Sequence, residues 1–339
     1  MSKKERGQFY TTNAKYILQG LEKGLNKPKH IFDPFCGQGD LLQWGNKKFP
    51  TAQHLVGYDI DPALHPTIVC NAYNFAWTTD CLITNPPWLA RNKTKSLDNL
   101  AIMDMLKTDD LYKAAILKIT NQPQQVSQGI LVVPQNFFFS YDANLRRKFF
   151  QYYHIVRCNM FYEPVFDDTN YATCAFSFKA GQNNSFSCYE FPEGKYTSRE
   201  LVPQFGYQIK SLFWEYALRE GEQYFSRTIN ISKTSTNIIA YLVDGGTERS
   251  RIRLECGSTP RQGIPTDRAI VGLDCTKYLS SKKQEQLVLK FQTLFDQLRQ
   301  QGDIDFLLPT YRESKNGKAR KRLPLEYLYN ILNNLLIKE

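Results

Sequence analysis

Seven short apolar runs punctuate residues 30–179: His30–Phe35, His54–Asp59, Thr67–Cys70, Cys81–Asn85, Gly129–Pro134, Ile155–Phe161 and Thr173–Lys179. Helical stretches separate some of them, Asp109–Ile119 being the clearest. Strands alternating with helices pack best as a mostly parallel sheet with helices on both faces. Residues 1–180 are therefore predicted to form an α/β, doubly wound, seven-stranded sheet. Ligands of such sheets bind outside the carboxyl ends of the strands, which directs attention to the residues that end each run.

After Ala180 the texture changes. Gly181-Gln-Asn-Asn-Ser is polar and turn-prone and is taken as a boundary, giving domains 1–180 and 181–339, the second of mixed α+β type. Thr236–Val243 and Arg251–Leu254 flank Asp244-Gly245-Gly246, a hairpin signal. Ser281 and Gln284 read as a capping box opening a helix with Leu287, Phe291, Leu294, Phe295 and Leu298 on one face. Arg312–Arg322 reads as a basic loop, and Pro324 suits the first turn of a last helix.

Composition narrows the function classes. The longest apolar runs, such as Ile130–Val133 and Leu335–Ile337, are too short to cross a bilayer, and no apolar stretch follows the charged Met1–Arg6, so neither membrane nor secretion is expected. The eight cysteines contain no C-x-x-C and the four histidines do not pair at ligand spacing, which argues against a metal site and for reduced thiols in a cytoplasmic protein. The net charge of +10 is shared equally by the two sides of residue 180 and favours a polyanionic partner.

Two motifs carry chemistry. Asp33-Pro-Phe35-Cys-Gly37-Gln-Gly39-Asp40 follows the first run, and its glycines allow close approach of backbone to a ligand. Asp59 lies twenty residues beyond Gly39, in Gly57-Tyr-Asp-Ile60-Asp-Pro62, where a carboxylate can accept hydrogen bonds from a ribose diol. Leu42 stands where a dinucleotide fingerprint has its third glycine, so the pair points to an adenosine-containing cofactor other than a nicotinamide.

The second motif is Asn85-Pro86-Pro87-Trp88, at the end of the fourth run. An exocyclic amino or amide nitrogen is a poor nucleophile because its lone pair is delocalised. The Asn85 side-chain oxygen and the Pro86 carbonyl can each accept one of its N–H bonds and so steer the lone pair towards an electrophilic methyl. The prolines add rigidity, and Trp88 offers a face for a planar base.

The order Gly7–Thr11, Asp33–Asp40, Gly57–Pro62, Asn85–Trp88 and a long C-terminal region resembles the gamma-class DNA adenine-N6 methyltransferases that use S-adenosylmethionine. The resemblance covers roughly residues 5–180. It implies a Rossmann-like methyltransferase sheet of seven strands and a C-terminal target-recognition domain. It also implies that Phe9, Tyr10 and Thr11 contact the methionine end of the cofactor. Asp33, Phe35, Gly37 and Gly39 would line the pocket, Asp59 and Ile60 would hold the ribose, and Asn71, Ala72 and Phe75 would lie near the adenine. Phe166 matches the aromatic that stacks on a flipped base. The sequence departs from the family in having Trp88 for the usual Tyr or Phe and Asn71 for the usual Asp.

Other N-P-P-aromatic enzymes methylate RNA bases or a protein glutamine. The glutamine enzymes carry a helical substrate domain ahead of the cofactor motif, whereas only 32 residues precede Asp33. No Pro-Cys dipeptide is present for cytosine-C5 chemistry, and cytosine-N4 enzymes more often have Ser in place of Asn85. Duplex DNA is therefore the expected partner of a monomer, with or without a separately acting cognate restriction endonuclease. An RNA or glutamine methyltransferase and a catalytically silent DNA-binding subunit are the alternatives. Candidate DNA contacts are Arg91, then Arg251 and Arg253, two apart and so on one strand face, Arg261-Gln262 as a base-reading pair, and Lys315, Lys318, Arg320, Lys321 and Arg322 as a backbone clamp.

Overall fold

The computed structural model describes residues 11–140, 142–166, 172–218, 222–228, 235–245, 251–257, 269–301, 307–308, 310–313 and 319–337. The chain divides into two compact units, 1–207 and 208–339. In the first, the elements run α1 (Ala14–Ile17), β1 (His30–Asp33), α2 (Asp40–Lys48), β2 (His54–Asp59), β3 (Ile68–Val69), β4 (Cys81–Thr84), α3 (Leu97–Leu106) and α4 (Leu111–Asn121). They continue with β5 (Gln128–Pro134), α5 (Asn136–Phe139), α6 (Asn144–Tyr152), β6 (Tyr153–Phe161), β7 (Thr173–Ala180), β8 (Ser185–Phe191) and β9 (Lys195–Val202).

One sheet organises these strands, in the order β9-β8-β6-β7-β5-β4-β1-β2-β3. Strands β1, β2, β3, β4 and β5 are mutually parallel; β7 is antiparallel to both β5 and β6. Two reversals restore direction, so β6 ends at the same sheet edge as β1, β2 and β4. The central strands do not alternate: every residue of β4 and β5 is buried, as expected where both faces are covered. An aromatic cluster that includes Phe137, Phe149, Tyr153, Phe176 and Phe178 fills one flank of β5 and β7.

Two expectations are corrected here. Among the described residues the first unit's sheet has nine strands, not seven, and the division into compact units falls at 207/208, not 180/181. The polar segment after Ala180 is only a turn, in which Asn183 Oδ1 accepts the Ser185 N–H at 3.0 Å. The chain then returns as β8, parallel to β6 with Cys158 opposite Cys188, and folds back as β9.

The second unit holds β10 (Gln208–Ile209), α7 (Phe213–Ala217), β11 (Phe225–Thr228), β12 (Ile238–Tyr241), β13 (Val243–Asp244), β14 (Arg253–Cys256), β15 (Ile270–Cys275), α8 (Ser281–Gln300), β16 (Thr310–Glu313), β17 (Ala319–Arg322) and α9 (Leu325–Ile337). Its strands form an antiparallel sheet β11-β15-β12-β14 and a smaller one β13-β17-β16. The apolar face of α8 is buried as expected. Its cap is Ser280, not Ser281, with Oγ accepting the Lys283 N–H. Gln284 closes no capping box, because its side chain accepts the Asn237 N–H and donates to the Leu279 carbonyl.

Gly129 of β5 has no room for a side chain. A β-carbon there would collide with the Leu82 carbonyl oxygen and lie 2.9 Å from the Phe178 ring. Gly129→Ala is expected to cost about 2–3 kcal/mol, measured by urea unfolding.

Candidate active site

The carboxyl ends of β1 and β2 are tied together by backbone. The Cys36 N–H bonds the Tyr58 carbonyl at 2.8 Å, and the Gly39 N–H turns back onto the Cys36 carbonyl at 2.8 Å. Gly37 and Gly39 take φ values of 52° and 83°, a region that strains any residue with a β-carbon. Asp59 completes the tie: Oδ2 accepts the Gly37 N–H at 3.0 Å, and Oδ1 accepts the Asp61 N–H at 2.9 Å. One carboxylate thus fixes the glycine loop against the turn that ends β2.

Beside this edge opens a cavity of about 390 Å³, whose wall includes Phe35, Asp59, Ile60, Asn71, Ala72, Asn85 and Pro87. Seven residues singled out from sequence are brought together there. Asn71 spends its side-chain oxygen on the Tyr73 N–H (3.2 Å), which caps the short turn Ala72–Asn74. That turn is held from behind by Trp77 Nε1 on the Ala72 carbonyl (2.9 Å) and Lys118 Nζ on the Tyr73 carbonyl (2.7 Å). A second, much smaller recess holds Thr11, Gly37, Gln38 and Asp40, and shares Phe35 and Asn85 with the first.

Some sequence candidates lie elsewhere. Asp33 reaches neither wall; it is fully buried beneath them. Its Oδ1 accepts from Thr84 Oγ1 (2.7 Å) and the Phe35 N–H (3.0 Å), and among the described residues its Oδ2 has no partner. Burial pushes its pKa up to about 7, partly opposed by those two bonds. Gly39 and Phe75 also lie off the large cavity's wall; Phe75 is exposed and meets Tyr58 edge-on. Conversely, Ser96, Asp98 and Asn99, from the start of α3, line the cavity without having been anticipated. The helix-cap signal of Ser96, whose Oγ accepts the Asn99 N–H, was there to be read.

Asn85 is nearly buried, and its Nδ2 donates to Thr11 Oγ1 at 3.2 Å. Trp88 and Phe166 are both buried and pack edge to face, with centroids 5.3 Å apart and planes at 88°. Two elements far apart in sequence thus present their rings together. Phe9 and Tyr10 lie outside the described residues.

The proposed DNA-contacting cations fare differently. Arg91 is exposed and paired with Asp104 of α3 at 2.6 Å. Arg251 precedes β14 and does not share the strand with Arg253, so the two are not strand neighbours on one face. Arg253 lies 3.8 Å over the Tyr241 ring and pairs with Glu255 at 3.0 Å. The expected basic loop is in part the β16–β17 pairing, and Lys321 is buried in it, so its ammonium cannot clamp a phosphate. Arg322, on the same strand, is half-buried. Arg320 is placed by its backbone on β17; Arg261, Gln262, Lys315 and Lys318 lie outside the described residues.

The buried Asp33 carboxyl sets a pH dependence. Its folded pKa lies above the unfolded one, so the native chain holds a proton the unfolded chain releases, and stability falls as pH rises from about 4 to about 7. Asp33→Asn should flatten this slope and gain on the order of 3 kcal/mol relative to wild type at pH 8 compared with pH 4. Urea unfolding across that pH range checks it.

No family model and no curated protein matches the sequence. Solved structures do. A modification subunit of a putative type I restriction enzyme from Vibrio vulnificus YJ016 is 17% identical with a TM-score of 0.41, over 64% of this chain and 54% of that one. A type I restriction-modification methyltransferase subunit from Streptococcus thermophilus is 15% identical with a TM-score of 0.39, over 54% and 47%. A putative class I S-adenosylmethionine-dependent methyltransferase from Listeria monocytogenes is 16% identical with a TM-score of 0.37, over 54% and 61%. The chain thus matches about half the length of the two restriction-system subunits. Likenesses at TM-scores below 0.5 leave the chemistry of the site to its own geometry.

Proposed function

We propose that the chain is an S-adenosylmethionine-dependent methyltransferase that modifies the exocyclic amino group of adenine in duplex DNA. The observation that carries this reading is the shared wall: Asn85 and Pro87 line the same cavity as Asp59, Asn71 and Phe35. A corner suited to gripping an amino group stands beside a pocket suited to an adenosine.

The residues fit that cofactor. The cavity volume falls within the usual range for small-molecule sites. Its wall offers apolar surface from Phe35, Ile60, Ala72 and Pro87 for a planar ring, and the Asp59 carboxylate as an acceptor for hydroxyls. When bound, S-adenosylmethionine supplies the electrophilic methyl. Thr11 holds the Asn85 amide by its NH2, which orients the amide oxygen as an acceptor. That oxygen and the Pro86 carbonyl take the two N–H bonds of the target amine, and the diproline corner keeps both acceptors in place. The amine loses its proton after it has become cationic, so no base of unusual pKa is needed. Trp88 and Phe166 supply aromatic surface for an extruded base, and Arg91 stands three residues beyond Trp88 as a cation for the backbone. The second unit is the proposed target-recognition domain, with Arg251 and Arg253 as its candidate contacts among the described residues.

The direct test is transfer of labelled methyl from S-adenosylmethionine to duplex DNA, followed by nucleoside analysis. N6-methyladenine in DNA is the expected product; label only in RNA or protein overturns the DNA reading. Asn85→Ala should reduce turnover by at least about 100-fold while duplex affinity stays within about twofold, because it removes an amine acceptor and no phosphate contact. Asp59→Ala should weaken cofactor binding about tenfold or more by calorimetry, since it removes the acceptor and releases the Gly37 and Asp61 N–H groups together.

A further inference from the structure

Building on the methyltransferase reading, we infer that Tyr16 and Glu163 form a latch that positions Phe166 against Trp88. The Tyr16 hydroxyl donates to the Glu163 carboxylate across 147 residues of sequence. Glu163 lies three residues ahead of Phe166, in the segment leaving β6 at the edge that carries the site. Tyr16 belongs to α1, a helix of only four residues with no side-chain cap, so tertiary contacts must hold it.

Those contacts are specific. Asn159 of β6 donates through Nδ2 to the carbonyls of Ile17 and Gln19, both at 3.0 Å. The Tyr16 ring packs against Phe161 (centroids 5.6 Å) and Phe191 (5.0 Å). At its other end the same segment carries Thr11, the partner of the Asn85 amide. Residues 11–19 therefore touch both components of the proposed site, the amine-gripping asparagine through Thr11 and the aromatic loop through Tyr16. Burial, reinforced by the Glu163 carboxylate, raises the Tyr16 pKa, so the phenol stays a donor. The rings fix where Tyr16 sits; its hydroxyl fixes where Glu163, and with it the start of the Phe166 loop, can sit.

The experiment compares Tyr16→Phe, Glu163→Ala, Glu163→Gln and the double variant Tyr16→Phe/Glu163→Ala with wild type. Tyr16→Phe keeps the ring packing, and Glu163→Gln keeps an acceptor. Tyr16→Phe and Glu163→Ala should each lower kcat about tenfold with KM for S-adenosylmethionine within about twofold, the double variant should be no worse than either, and Glu163→Gln should approach wild type. A second readout needs no activity: amide hydrogen exchange over residues 162–166 should quicken at least about fivefold in Tyr16→Phe and stay near wild type in Glu163→Gln. Unchanged exchange in Tyr16→Phe overturns the latch, as do additive losses in the double variant. A wild-type protein that transfers no methyl to any substrate counts against the methyltransferase reading instead, and the exchange comparison then decides the latch.

Discussion

The site depends on one carboxylate. Asp59 accepts two backbone N–H groups from two different loops, and so converts the separate ends of β1 and β2 into one rigid rim. Both donors are backbone groups that water would otherwise have to satisfy, and bonds to a charged acceptor are worth more than neutral ones. Removing this side chain would leave the glycine loop with its own turn and the Cys36–Tyr58 bond, but without its link to the Asp61 turn. The cavity wall is therefore formed largely by backbone placement, and the side chains facing it follow from that.

The parallel half was legible because its strands end in residues that cannot continue them. His30–Asp33 runs into a Pro and two glycines, and Cys81–Thr84 into an Asn and two prolines. The two added strands β8 and β9 lie beyond a polar turn whose composition is the same as that of a domain boundary. Ser185-Phe-Ser-Cys-Tyr alternates with period two, which was the available signal. At the site, the residues that follow strand ends were found and those carried in by α3 were not. An irregular loop precedes that helix, and nothing in spacing alone says that Asp98 and Asn99 fold back over the β1–β2 edge.

The basic residues of the second unit show how far charge counts can mislead. Arg299 pairs with Asp244 and Asp296, Arg253 contacts Tyr241 and Glu255, and Lys321 is buried within its sheet. These cations contribute to the formal charge of +10 while Arg253 and Arg299 also pair with carboxylates of their own unit. A run of Lys and Arg in sequence carries no record of which members face solvent, because strand pairing sends successive side chains to opposite faces.

The β8–β9 extension joins the sheet along β6, the strand from which the Phe166 loop departs. At its end, the Tyr162 N–H bonds the Phe191 carbonyl at 3.0 Å, and the Phe161 and Phe191 rings stack 4.9 Å apart. The hairpin is consequently a buttress for the aromatic loop rather than a detachable ornament. A shortened protein that stops at residue 180 would retain every motif of the cofactor half, yet would take Phe191 from beside the Tyr16 ring and leave the loop's first residue without its main-chain anchor.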